Sequence, residues 1–197
     1  MPQAKVIVLF STKGGVGKTL LSVNLAVSLG KESKKKVCLV DFDLQAPMDM
    51  ARLLDLQPEK SLADIPSEKE IDADKINSLI AAHSSGIDFL QAALRPNQSP
   101  YIEKKIISAA LSNLEAKYDY VVIDAGRAFS DNFISVLGFS NLILMVVTPD
   151  ILSIYQTKWA LDVLQSLHFP LKMIKFILNR SDSLGGFAWQ EVKSNLP

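Results

Sequence analysis

Short apolar runs alternate along the chain with longer stretches whose apolar residues recur at helical spacing. The short runs are rich in Val, Ile and Phe, as expected for strands that are buried on both faces of a parallel sheet. The predicted strands are Lys5–Ser11, Lys36–Asp41, Ile87–Leu90, Tyr120–Asp124, Leu142–Thr148 and Met173–Leu178. The predicted helices are 18–30, 73–82, 102–116, 129–138, 151–168 and 187–195. This alternation predicts an α/β three-layer sandwich with a mostly parallel sheet.

Local signals set the ends of some of these elements. Gly30 suits the C-terminal cap of the first helix, since glycine adopts the left-handed backbone common at that position. Pro149 or Asp150 begins the fifth helix. Residues 56–72 are polar and contain two prolines, so we expect a loop with a short helix there.

Two conspicuous features are expected to be structural. Trp159, Val163 and Leu167 recur at helical spacing, which favours a core-facing helix surface over a cofactor stripe. Cys38 lies within a predicted strand, so we interpret it as a buried strand residue and not as a nucleophile.

Composition narrows the function classes. A length of 197 residues fits one domain, and 21 basic residues balance 21 acidic ones. DNA is therefore not expected as a partner, because no overall basic field exists to hold it. The basic stretch at 31–36 is interpreted as a solvated turn, with a partner or DNA contact as the alternative. One cysteine excludes a disulfide framework and any iron–sulfur or zinc site built on several thiolates of this chain.

Targeting signals are not evident in the sequence. The N-terminal apolar run is too short for a signal peptide, and the longest apolar run, Leu142–Val147, is far shorter than the roughly 20 residues of a membrane span. We expect a cytoplasmic protein and leave polar or peripheral membrane placement open.

A glycine-rich loop, Ser11-Thr-Lys-Gly-Gly-Val-Gly-Lys-Thr19, follows the first predicted strand and opens the first helix. Glycines let successive backbone N–H groups surround phosphate oxygens, and a helix N-terminus favours anions. Lys18 can reach terminal phosphates, and the Thr19 hydroxyl can bind Mg²⁺. The alternative is a strand-to-helix turn without a ligand. Two lysines, three glycines and a threonine at these spacings favour a P-loop.

The strict P-loop pattern begins with glycine, but this loop has Thr12 there and an extra lysine, Lys13, next to it. The loop resembles the deviant Walker A motif of the ParA/MinD family of ATPases. That resemblance implies a P-loop NTPase fold, and ATP and Mg²⁺ as cofactors. It also implies that Lys13 contacts phosphates across a nucleotide-sandwich homodimer. The implied nucleotide contacts are Lys13, Gly14, Gly15, Val16, Gly17, Lys18, Thr19 and Leu20, with catalytic roles for Lys13 and Lys18.

Aspartates follow two predicted strands. Val37–Val40 leads into Asp41 and Asp43, and an apolar run from Tyr120 ends at Asp124, in the manner of a Walker B motif. Such carboxylates lie where open α/β sheets bind ligands, although each would be unremarkable without the loop. By resemblance to the family, Asp41 and Asp124 join Thr19 in holding Mg²⁺, and Asp43 positions the attacking water.

Two further features come from the same resemblance. Residues from Ala125 to Arg127 begin a switch segment that senses the γ-phosphate. Asn179 and Arg180, after the last predicted strand, are implied to bind the nucleotide, with Asn179 pairing with the adenine edge. Turn chemistry is the alternative for that Asn-Arg pair.

Several passages, including the segment from Asp41 to Leu56, resemble the TadZ/CpaE group, which helps to place and assemble type IV (Tad) pili. We therefore expect one ATPase domain over residues 1–197 and leave open whether the family's last C-terminal elements are missing. The expected function is a dimerising, weakly hydrolysing ATPase that positions a cellular machine through protein partners. The alternatives are a ParA/MinD-type partitioning or division-site ATPase, and a nucleotide-binding scaffold with negligible hydrolysis.

Overall fold

A seven-stranded sheet organises the computed structural model, which describes residues 3–66, 71–184 and 186–196. The strands are β1 (Lys5–Phe10), β2 (Val37–Phe42), β3 (Ile80–Ala82), β4 (Asp88–Gln91), β5 (Tyr120–Ala125), β6 (Leu142–Val147) and β7 (Ile174–Leu178). Their order across the sheet is β3-β4-β2-β5-β1-β6-β7. All neighbouring pairs are parallel except β3 with β4.

The helices are α1 (Lys18–Ser33), α2 (Asp49–Leu53), α3 (Ala73–Asn77), α4 (Lys104–Lys117), α5 (Asp131–Leu137), α6 (Ile151–Ser166) and α7 (Trp189–Asn195). Short 3-10 helices span Leu62–Asp64, Pro96–Tyr101 and Leu171–Met173. None of the helices in the described ranges combines the length and the apolar character that crossing a bilayer requires.

Two apolar layers sandwich the sheet, because successive strand residues face opposite sides. One layer packs α1 and α2 onto the sheet face that carries Leu9 and Leu39. The other packs α4, α5 and α6 onto the face that carries Val8 and Val40. This arrangement confirms the predicted three-layer α/β sandwich with a mostly parallel sheet. Cys38 is fully buried in β2, and burial raises the pKa of its thiol, as expected for a structural residue.

The predicted helix at 73–82 is only half right. Asp72 caps α3 by accepting a hydrogen bond from the Lys75 backbone N–H, and the helix ends at Asn77. Residues Ile80–Ala82 instead form β3, which pairs antiparallel with β4 at one edge of the sheet. The sequence does not distinguish this strand from the end of the helix, because three residues are too few to reveal strand periodicity.

The predicted cap at Gly30 is wrong. Helix α1 continues to Ser33, and Lys34 takes the left-handed backbone at its end, with φ of 53°. Gly30 lies inside the helix, where a Cβ would come within 3.0 Å of the Ile87 side chain. A glycine therefore suits this position because the helix packs tightly against the loop that precedes β4.

The predicted core face of α6 is also wrong. Trp159 is 53% exposed and Leu167 is 43% exposed. The helix buries Ile154, Leu161 and Leu164 instead. In residues 56–72 the short 3-10 helix Leu62–Asp64 matches the expected short helix, while 67–70 lie outside the described residues.

Candidate functional site

Three neighbouring strands end together at the carboxyl edge of the sheet. Strand β5 lies between β1 and β2, and Asp124 is paired in register with Asp41 on one side and with Leu9 on the other. The glycine-rich loop follows β1 directly and leads into α1. This edge is where open α/β sheets bind ligands. The topology therefore brings the loop and the aspartates, which are distant in sequence, to one place.

The loop conformation requires glycine at two positions. Gly15 and Gly17 have φ of 73° and 93°, in the left-handed region that L side chains rarely adopt. Gly17 is the N-cap of the 16-residue helix α1, and no side chain caps its first backbone N–H groups. Those free donors, together with the helix dipole, make the loop suited to an anion such as phosphate.

Lys18 points into the protein and not into solvent. It is only 6% exposed, and its Nζ lies 2.5 Å from Asp124 Oδ1 and 3.5 Å from Asp43 Oδ2. A buried ammonium requires charged partners, and these two carboxylates supply them. Lys18 thus connects the loop to both acidic strand ends.

Asp41 and Asp124 are weaker acids than ordinary aspartates, because the pKa of each is raised. The pKa of Asp41 is raised to about 7, mainly by burial and in addition by the negative charge of Asp124. Hydrogen bonds from Gln91 and the Asp43 backbone N–H oppose this rise. Burial also raises the pKa of Asp124, although the Lys18 ammonium and the Thr19 side chain favour its charged form. A cation close to these two buried carboxylates would favour their ionised forms, because it would offset their mutual repulsion.

Lys13 stands at the outer end of the loop with a different partner. Its Nζ lies 2.7 Å from Asp150 Oδ2, and both side chains keep about a third of their exposure. Asp150 is the N-cap of α6, accepting from the Ser153 backbone N–H at 3.0 Å, and it also accepts from the Thr148 hydroxyl at 2.7 Å. Partial burial acts to raise the pKa of Asp150, but these bonds outweigh it and hold that pKa below its usual value. The prediction that Asp150 or Pro149 begins this helix is confirmed, with Asp150 as the cap.

The side chain of Asn179 contacts the backbone of the glycine-rich loop. Its side-chain Nδ2 donates to the Val16 carbonyl oxygen at 2.7 Å, and a Cβ on Gly17 would overlap that nitrogen. Its backbone N–H donates to Val147 O at the end of β6. The predicted contact with an adenine edge stays a prediction, for which the amide oxygen and the second amide N–H of Asn179 remain.

A cavity of about 520 Å³ opens between the loop and the two acidic strand ends. It is lined by the predicted residues Lys13, Gly14, Gly15, Val16, Gly17, Lys18, Thr19, Leu20, Asp41, Asp43, Asp124 and Arg180. Asn179 does not line it. The structure thus brings together every other residue predicted for nucleotide, metal or catalysis.

Several side chains at this site were not predicted from the sequence. Arg127 is predicted only as part of a switch segment, but in the structure it lies against Gly14 and donates from Nη2 to Gln45 Oε1 at 3.1 Å. Gln91, at the end of β4, donates from Nε2 to Asp41 Oδ2 at 3.0 Å. Only the strand register brings Gln91 to Asp41, and no motif marks it.

The donor set fits Mg²⁺ bound together with a nucleotide. Asp124 Oδ2 is buried without a hydrogen-bond partner, and Asp41 and Thr19 line the same cavity. Within residues 3–66, 71–184 and 186–196, no group of three or more His, Cys, Asp or Glu side chains forms a complete metal cage. Mg²⁺ usually binds through one or two carboxylates plus substrate phosphates, and Asp41 and Asp124 are carboxylates of this kind.

Comparison with known proteins shows the family to which the chain belongs. A family model described as an AAA domain matches residues 4–173. The septum site-determining protein MinD of Helicobacter pylori is 30% identical over 152 residues, covering 77% of this chain and 55% of its own length. This chain spans between 55% and 64% of the length of the first curated relatives that it matches.

Solved structures share the fold. A ParA family ATPase from Chlorobium tepidum superimposes with a TM-score of 0.87 at 24% identity, covering 97% of this chain and 80% of its own. The Pyrococcus horikoshii MinD protein, solved in complex with Mg-ADP, gives 0.81 at 23% identity, covering 98% and 77%. The chain therefore belongs to the AAA-domain family of P-loop ATPases that includes the ParA and MinD proteins.

Proposed function

We propose that residues 1–197 form a single Mg²⁺-dependent ATPase domain that dimerises on ATP and positions or regulates a cellular assembly. The observation that carries the proposal is the opposite placement of two lysines on one loop. Lys18 is buried against Asp124 and Asp43, while Lys13 sits at the partly exposed rim against Asp150. One lysine is thus placed for the phosphates of its own subunit, and the other for a group that approaches from outside.

In this proposal ATP enters the 520 Å³ cavity with its phosphates against the loop N–H groups. Lys18 transfers from the carboxylates to the β- and γ-phosphates, which replace them as its counter-charge. Thr19, Asp41 and Asp124 hold Mg²⁺, which when bound neutralises charge on the phosphates. Asp43, whose Oδ1 accepts from the backbone N–H groups of Gln45 and Ala46, orients the attacking water toward the γ-phosphorus.

Lys13 supplies the argument for a dimer. Its own subunit's phosphates are already served by Lys18 and the loop backbone, and its four-carbon stem extends from the rim. A facing subunit's γ-phosphate would attract it away from Asp150, a partly exposed partner that holds it weakly. Stabilisation in trans of this kind resembles an arginine finger and makes association depend on the γ-phosphate.

The experiment is sedimentation of the chain with a non-hydrolysable ATP analogue, with ADP and without nucleotide. We expect a dimer only with the analogue, and a monomer for Lys13→Ala that still binds the analogue in calorimetry. Lys31→Ala, an exposed lysine in the last turn of α1, is the matched control and should dimerise like the wild type. A Lys13→Ala dimer as tight as the wild type would contradict the trans contact.

We place the cellular role in type IV (Tad) pilus assembly, because of the sequence resemblance of the segment that follows Asp41. The similarity to a septum site-determining protein favours a second role, division-site or partitioning control. A fluorescent fusion, observed in cytoplasm and at cell poles with and without nearby pilus genes, separates the two. If the fusion loses its localised position when the pilus genes are deleted, the first role is supported. A midcell or nucleoid pattern that the deletion leaves unchanged supports the second.

A further inference from the structure

A row of polar side chains crosses three adjacent strands at the carboxyl edge of the sheet. Gln91 of β4 is paired in register with Asp41 of β2, which is paired in register with Asp124 of β5. All three are buried, and Gln91 is only 1% exposed. Burying the amide of Gln91 costs free energy unless the amide forms hydrogen bonds. Its hydrogen bond to Asp41 offsets part of that cost and suggests a role for Gln91 at the carboxylate.

The Asp41 carboxylate is held by two neutral donors. Gln91 Nε2 donates to Oδ2 at 3.0 Å, and the Asp43 backbone N–H donates to Oδ1 at 3.1 Å. Lys18, the nearby cation, is engaged with Asp124 and Asp43. Among the side chains that the structure describes, only that of Gln91 donates a hydrogen bond to Asp41. With one donor on each oxygen, the carboxylate plane cannot rotate without breaking a buried hydrogen bond.

We propose that Gln91 is a positioning residue for the Mg²⁺ site, holding the Asp41 carboxylate in the orientation in which it supports the metal. This inference rests on the proposed function, because the metal role of Asp41 does. Without the amide, Oδ2 would lose its donor while the like charge of Asp124 remained on the next strand. The carboxylate could then rotate away from the orientation in which it supports the metal.

Partners that orient metal-supporting groups commonly change metal affinity about 10- to 100-fold when they are removed. The test compares Gln91→Met, which keeps a similar unbranched shape without the donor, with wild type. Gln156→Met is the matched control, because Gln156 of α6 also has a buried side-chain oxygen without a partner and lies outside the cavity lining. Calorimetry measures ADP binding in EDTA and then over a Mg²⁺ series.

For Gln91→Met we expect the Mg²⁺ concentration that gives half of the Mg²⁺-dependent gain in ADP affinity to rise about tenfold or more. Its ADP affinity in EDTA should match the wild type, and its kcat should recover at saturating Mg²⁺. Gln156→Met should match the wild type throughout. An unchanged Mg²⁺ series for folded Gln91→Met would overturn the proposal.

Two further variants keep the test decisive. In an Asp41→Asn background, Gln91→Met should cause no additional shift, and a full additional shift would mean that Gln91 acts by another route. If Gln91→Met does not fold, Gln91→Asn retains an amide that is too short to reach, and its Mg²⁺ series at wild-type values would equally reject the role. Wild-type protein without any Mg²⁺-dependent nucleotide binding would instead refute the proposed function itself.

Discussion

The two ends of the phosphate loop carry the same kind of contact in different surroundings. At the inner end Lys18 and Asp124 are both buried, whereas at the outer end Lys13 and Asp150 retain 33% and 39% of their side-chain exposure. A partly exposed pair contributes at most about 1 kcal/mol, because water screens it and because the side chains lose freedom. Removing one partner of a buried pair costs about 3 kcal/mol or more. Solvent exposure therefore decides which lysine is fixed and which can leave its partner.

The largest expected effect tests the inner end. Lys18→Met should weaken ATP binding about tenfold or more, because a charge-assisted contact to the phosphates is lost. It should also lower the free energy of unfolding of the nucleotide-free protein by about 3 kcal/mol, since Asp124 loses its buried partner. Calorimetry and urea unfolding at pH 7 measure the two. Lys13→Met is the matched variant and should cost less than about 1 kcal/mol of stability. Equal losses of stability in Lys18→Met and Lys13→Met would show that burial does not make the inner ion pair more costly to break than the outer one.

The second prediction separates binding from turnover at the inner end. Asp43→Ala should reduce ATP hydrolysis about 100-fold or more, because orienting the attacking water matters mainly in the transition state. ATP affinity should stay within about threefold of the wild type. Asp49→Ala is the control, since Asp49 also lines the cavity but pairs with Arg52 at 3.5 Å. Equal hydrolysis rates for Asp43→Ala and wild type would assign Asp43 another role.

The third prediction uses pH, to which the two ends respond with opposite signs. The folded-state pKa of Asp41 is raised from 3.8 to about 7, so between these values the folded protein binds more protons than the unfolded chain. Its contribution to the free energy of unfolding therefore falls as pH rises through that window, by at most about 1.4 kcal/mol per pH unit. The pKa of Asp150 is lowered, so its contribution is present above its usual pKa and is lost as pH falls below it.

Urea unfolding of the nucleotide-free protein between about pH 3 and pH 8 checks both signs. Asp41→Asn should reduce the decrease in stability toward neutral pH, to which the raised pKa of Asp124 also contributes. Asp150→Asn should reduce the decrease toward acid pH. If the Asp41→Asn and wild-type profiles of stability against pH are parallel, the raised pKa of Asp41 in the folded protein is refuted.

The smallest expected effect tests the outer end. Asp150→Asn removes the charge but keeps an effective N-cap for α6, so stability should fall by less than about 1 kcal/mol. Dimerisation with a non-hydrolysable ATP analogue should strengthen by severalfold, because Lys13 no longer has to leave a charged partner. Sedimentation over a concentration series measures the change. A weaker dimer would mean that Asp150 itself contributes to the interface.

Sequence reasoning predicted the parts of the fold and site that have a local signal. The loop, the strand that ends at Asp41 and the strand that ends at Asp124 combine glycine spacing with apolar runs, and the topology then brings them together. Strand β3 and helix α2 have three and five residues, too few for a periodic pattern. The sequence favours a helix cap at Gly30, because the packing of Gly30 against Ile87, which lies 57 residues further along, cannot be seen in the neighbouring sequence.

Long-range partners were beyond prediction for the same physical reason. Lys13 and Asp150 are 137 residues apart, and Gln91 and Asp41 are 50 apart. Each partner follows from strand order and register, which one sequence does not specify. Helical spacing predicts a core-facing Trp159, but the spacing does not show which face of α6 meets the sheet, and the structure buries Ile154 and Leu161 instead.

The exposed Trp159 gives the chain an intrinsic optical label. Its indole meets the ring of Phe129 edge to face at 5.7 Å, and Phe129 in turn contacts Phe133 and Phe10, the last residue before the phosphate loop. Phe129 lies two residues beyond Arg127, so a rearrangement of this segment on nucleotide binding would alter the surroundings of the indole. The chain has two tryptophans, and Trp189→Phe leaves Trp159 as the single emitter. Stopped-flow fluorescence of that variant would time the rearrangement without an attached dye.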